Sequence, residues 1–120
     1  MRLPQVAFWL ACATVAVLSL LPTAYLSAGV FDWWDKAQHA LAFASLCLLG
    51  LLAYPTRSGQ VTAGLLAFAA GIELAQAATG WRVGEIPDLL ADAVGLAAGR
   101  LAWALLRRHR GEGLGPVRRR

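Results

Sequence analysis

The chain has 120 residues, of which 58% are hydrophobic and only 15% charged, and its formal net charge is +4 at pH 7. A water-soluble domain of this size needs far more polar surface, so the composition excludes an ordinary soluble enzyme or carrier and indicates a membrane protein. No nucleic-acid partner is expected.

A helix that crosses the hydrocarbon core needs about 20 mostly apolar residues, with roughly 17–25 tolerated. Four segments qualify: Val6–Leu26, Ala37–Tyr54, Val61–Ala78 and Leu89–Leu106. The predicted fold is therefore all-α, a four-helix transmembrane bundle forming a single domain over residues 1–110. The basic, glycine-containing stretch 111–120 is predicted to be a disordered tail. The first segment follows Arg2 and ends in small residues at Ser27–Ala28, as a secretory signal would. Its apolar run exceeds the usual ~7–15 residues and Leu26 is bulky for a cleavage site, so it is read as a span. Cys12 and Cys47 fall within spans one and two and are expected to act as small buried hydrophobes. Span three carries Gly64 and Gly71. Span four carries Gly95 and Gly99, a small-xxx-small pair that allows close approach of another helix, with span three the expected neighbour.

Charge gives the bundle an orientation. Arg2, Arg57, Arg107, Arg108, Arg110, Arg118, Arg119 and Arg120 all fall at one end. The connections at the other end, Ser27–Asp35 and Thr79–Asp88, hold Asp32, Asp35, Glu85 and Asp88 against Arg82 and, at the edge, Lys36. By the positive-inside rule both termini are expected in the cytoplasm. The aromatic residues agree: Trp9, Tyr54 and Trp103 fall near predicted inner ends, and Tyr25, Trp33, Trp34 and Trp81 near outer ends. Arg100, late in span four, is expected to snorkel toward the cytoplasm.

Polar residues enter the apolar layer in pairs. Asp35 and His39 open span two, Glu73 and Gln76 lie near the end of span three, and Asp88 and Asp92 open span four. Residues three or four apart share a helix face. With a rise of about 1.5 Å per residue, His39, Glu73 and Asp92 lie about 3–8 Å beneath the outer boundary. An ionisable group facing lipid costs about 2.5–3.5 kcal/mol at mid-bilayer and less near the edge, so these groups are expected to turn inward and meet. Asp35, Lys36, His39, Glu73, Gln76, Arg82, Asp88 and Asp92 form the expected outer pocket, in which Glu73 hydrogen-bonds Gln76 and His39. Asp88, just after Pro87, also suits the first turn of a helix, where a negative charge complements the helix dipole.

At these residues the chain resembles the VanZ-like family of small bacterial membrane proteins. Asp35-Lys36-Ala37-Gln38-His39 is similar to that family's D-K-x-x-H at the start of a span. Glu73-Leu74-Ala75-Gln76 is similar to its E-x-x-Q, with Arg82 six residues later. Asp88, Asp92 and Gly95 follow its D-x-x-x-N/D-x-x-G. The resemblance runs from Asp35 to Gly99, with Asp92 where asparagine is frequent and Phe43 where tyrosine is. It implies an envelope setting and a link to glycopeptide tolerance, and it assigns no reaction.

Three functions are compatible with these residues. The preferred one is a multi-pass cell-membrane protein that binds an envelope component, such as a lipid-linked cell-wall precursor, alongside membrane lipids. The second is a membrane enzyme in which His39, Glu73 and Asp92 are the catalytic candidates and water attacks a lipid-linked substrate, with Lys36 and Arg82 holding its phosphate. The third, a small transporter, needs an oligomer of this chain and a polar path that the inner half does not supply. No cofactor is expected. A metal site would have to combine His39 with Glu73, Asp88 or Asp92, without any H-x-x-x-H or C-x-x-C spacing.

Overall fold

The computed structural model describes residues 1–21, 32–80 and 86–112. These form four helices and no strand: α1 (Leu3–Leu20), α2 (Asp32–Ala53), α3 (Ser58–Thr79) and α4 (Ile86–Glu112). All four are long and apolar enough to cross a membrane. Local signals set their ends. Pro4 and Pro87 stand in the first turns of α1 and α4, where a missing N–H costs nothing. Pro55 follows the end of α2. Gly80, at φ +77°, closes α3 in the left-handed conformation that glycine adopts without strain.

The boundaries differ from expectation at several ends, with α2 beginning at Asp32, α3 at Ser58 and α4 at Ile86, each before the expected span. α1 begins at Leu3, and residues 22–26 of the predicted first span lie outside the described residues. α4 continues beyond Leu106 to Glu112, so the first two residues of the predicted tail are helical. The cause is local: Arg107, Arg108 and Arg110 are good helix formers, and cations in a last turn suit the helix dipole.

α2 is the central helix and packs on α1, α3 and α4, whereas α4 touches α2 and α3. Phe8, Phe43, Leu46, Cys47, Leu51, Leu65, Ala69, Ile72 and Leu96 make the buried core. The Phe43 ring lies 6.1 Å from that of Phe68 and is buried in this core. Cys12 and Cys47 are free and buried, as expected. The outer surface stays apolar, with Leu10, Leu18, Leu41, Leu66, Leu74, Leu90, Val94 and Leu101 all exposed. That is the surface of a protein solvated by hydrocarbon rather than water.

The closest helix approach is between α2 and α4, not between α3 and α4. A Cβ on Gly95 would come to 2.9 Å of the Ala40 carbonyl carbon and closer still to its oxygen. One on Gly99 would lie 2.8 Å from the Ala44 carbonyl oxygen and 2.7 Å from Cys47 Cβ. Gly64 and Gly71 meet nothing within 4 Å, so the expected seam between spans three and four is corrected to one between α2 and α4. Ala40, Ala44 and Cys47, spaced by four and three, make the complementary stripe. Gly50 serves α1 and α3 in the same way, since a Cβ there would lie 2.6 Å from Val61 Cγ1 and 3.0 Å from Phe8 Cε2.

Polar contacts pin the two ends of the bundle. At one end Trp9 Nε1 donates to Tyr54 Oη at 3.0 Å. At that same end Arg100 Nη1 donates to Thr62 Oγ1 at 2.6 Å and to Ser58 O at 3.2 Å. Arg100 thus has partners at the start of α3, where an early-turn carbonyl and hydroxyl accept its protons. Replacing Arg100 by methionine should lower stability by about 1 kcal/mol. Adding Thr62→Val should cost little more, because both changes remove the same bond. Thermal unfolding in detergent measures this, and fully additive losses would contradict the contact.

Candidate functional site

The opposite end of the bundle gathers the ionisable side chains. α2 and α4 run parallel here, and two rungs join them at offsets of 52 and 53 residues. In the first, Lys36 Nζ forms an ion pair and hydrogen bond with Asp88 Oδ1. In the second, His39 Nδ1 lies 2.9 Å from Asp92 Oδ1. His39 Nε2 is 3.9 Å from Asp88 Oδ2, so the imidazole sits between two carboxylates one helical turn apart. Asp88 is in the first turn of α4, where the helix dipole favours its charge, and is buried. Asp92 is 0% exposed.

The glycine seam determines this geometry. Gly95 lies three residues beyond Asp92, and its contact with Ala40 holds the backbones close enough for short side chains to bridge. α3 adds the third wall. One donor atom each from His39, Glu73 and Asp92 all lie within 4.8 Å of one another. Three helices therefore bring a histidine and two acids to one point, with Lys36 and Asp88 one turn nearer the helix starts.

Several expected site residues are placed differently or not at all. Gln76 turns away from Glu73: its Nε2 donates to Ser19 O in the last turn of α1, at 2.8 Å. This bond ties the buried amide of Gln76 on α3 to the last turn of α1. Gln76 Oε1 is itself buried without a hydrogen-bond partner among the described residues. Lys36, expected to meet a phosphate, is engaged by Asp88. Arg82 and the side chain of Asp35 lie outside the described residues, as do Tyr25, Trp81 and the side chains of Trp33 and Trp34. The Ser19 carbonyl is a partner that the sequence did not disclose, because its only signal was proximity to a helix end.

A second concavity lies at the far end. A crevice of about 650 Å³ is lined by Phe8, Trp9, Cys12, Tyr54, Val61 and Phe68, among others. Its walls are mainly apolar, and the crevice is remote from the ionisable cluster. Hydrocarbon chains suit it; acid–base chemistry does not.

No family model, no curated protein and no solved structure matches this chain. The functional reading therefore rests on the residues themselves.

Proposed function

We propose that the chain is a VanZ-like integral membrane protein of the bacterial cell envelope, binding the polar head of an envelope component at the His39–Glu73–Asp92 end of its bundle. The observation that carries this is the convergence of those three side chains from three helices within 4.8 Å, in a protein whose outer faces are apolar. Ionisable groups at such depth are costly in hydrocarbon, and sites that hold them inside a bundle are commonly functional. In this reading both termini are cytoplasmic and the site faces the outer leaflet, as the distribution of arginines suggests. Carboxylates accept hydrogen bonds from hydroxyl and ammonium groups, so a sugar- or amine-bearing lipid head suits the cluster. A contribution to glycopeptide tolerance would follow from sequestering such a component.

Mass spectrometry of lipids retained by the purified protein tests this. A defined polar-headed lipid should copurify and be lost in His39→Ala and Asp92→Leu, while Leu74→Ala on the exposed face retains it. Equal lipid profiles for all variants would end the proposal.

The enzyme reading draws support from the His39–Asp92 pair, since an aspartate that orients a histidine also assists proton transfer. It requires the retained lipid to be converted to a hydrolysed product by the native protein and not by Glu73→Gln. If the lipid stays intact over hours with the native protein, binding is the remaining activity.

A further inference from the structure

We infer that His39, Glu73 and Asp92 form a binding site for one divalent first-row transition-metal ion, such as zinc or manganese. This inference rests on the reading of the cluster as a binding site and names the group through which it binds. The donor set is one imidazole nitrogen and two carboxylate oxygens, all within 4.8 Å of one another and carried by three different helices. Tetrahedral zinc with bonds of about 2.0–2.2 Å places neighbouring donors about 3.3–3.6 Å apart, so rotamer adjustments of about 1 Å would bring the three onto an ion. One nitrogen with two oxygens suits borderline and harder divalent ions rather than soft ones.

Charge supports the assignment. Lys36 already matches Asp88 across the first rung. Glu73 and Asp92 supply two carboxylates beside the imidazole. A divalent ion with two carboxylates and a neutral imidazole is electrically balanced, which an interior of low dielectric strongly favours. Nearby residues can hold the ligands in place. Asp88 Oδ2 stands 3.9 Å from His39 Nε2, close enough to orient the imidazole as outer carboxylates do in metal sites.

The ion would also change what the site can recognise. With it, three protein ligands leave coordination positions open, and an anionic lipid phosphate can bind there.

The test uses the full chain, purified without a histidine tag, stripped with chelator and placed in phosphatidylcholine nanodiscs. Cobalt(II) titration should give saturable visible d–d absorption at one equivalent, competed by zinc. Glu73→Gln, Asp92→Asn and His39→Ala should each weaken binding by at least tenfold, the lower end of what even outer partners contribute. Leu74→Ala should bind normally. The first two variants are isosteric, and protection of Cys12 and Cys47 from a thiol reagent confirms their fold. No saturable signal, or a signal that survives all three substitutions, overturns the metal site. If His39-dependent lipid retention persists without metal, the metal inference fails and the head-group reading stands. Metal binding with no retained lipid leaves the metal site standing and removes the head-group reading.

Discussion

Replacing Gly95 by alanine should destabilise the protein by at least about 2–3 kcal/mol, whereas the same change at Gly64 or Gly71 should be neutral or mildly stabilising. The three sites are alike in composition and differ only in what faces them. A methyl group at Gly95 collides with the Ala40 carbonyl, part of a helix backbone that cannot rotate away. Overpacking against side chains costs typically 1–3 kcal/mol, and collision with backbone belongs at the upper end or above. The methyl group at Gly64 or Gly71 meets nothing within 4 Å and gains up to about 1 kcal/mol of helix propensity. Gly99→Ala should resemble Gly95→Ala, though some relief is available because Cys47 is a side-chain neighbour. The two buried free thiols provide the measurement: a thiol-reactive fluorophore reports unfolding in detergent as Cys12 and Cys47 become accessible. Equal midpoints for Gly95→Ala and Gly64→Ala would refute the α2–α4 seam.

The second large effect concerns the buried rung between His39 and Asp92. His39→Leu removes the 2.9 Å contact and leaves Asp92, fully enclosed, without its imidazole. Breaking a buried pair from one side costs about 3–5 kcal/mol, because the surviving charge keeps its desolvation penalty. Asp92→Leu should cost a similar amount by leaving the imidazole without its carboxylate. The double leucine variant should recover most of the loss, since two apolar groups of suitable volume remove both penalties together. The coupling energy of this cycle is therefore expected to be large and compensating. Additive losses in the double variant would mean that the two groups act independently, and would remove the energetic basis for a site at this point. Stability and lipid retention should also separate: the double variant should be folded and should bind no polar head.

Much of the architecture was legible in the chain, and the reasons are specific. Four apolar runs of membrane length have few alternatives, and Pro55, Gly80 and Pro87 mark their limits. The polar pairs were legible because carboxylates and histidine are rare inside apolar segments and three- or four-residue spacing gives them a common face. Helix pairing was harder to read. Gly95 and Gly99 announce a close contact without naming the partner, and alanine-rich α3 was the expected neighbour. The deciding signal, Ala40, Ala44 and Cys47 in matching register, was present but unremarkable beside larger neighbours. Gln76 was misassigned because its partner is a backbone carbonyl of α1, which leaves no trace in side-chain chemistry. The convergence of His39, Glu73 and Asp92 has no linear spacing, since each comes from a different helix, and was expected only from the cost of turning them toward lipid.

The parallel alignment of α2 and α4 also bears on how the protein is made. α2 leaves the ribosome well before its closest partner exists, with Asp92 following His39 by 53 residues and α3 intervening. During synthesis Lys36 and His39 are therefore without Asp88 and Asp92 until α4 has been made. A chain arrested before α4 leaves the Ala40–Ala44–Cys47 stripe uncovered and His39 without Asp92, features by which quality-control proteases could distinguish an unfinished product from a mature one.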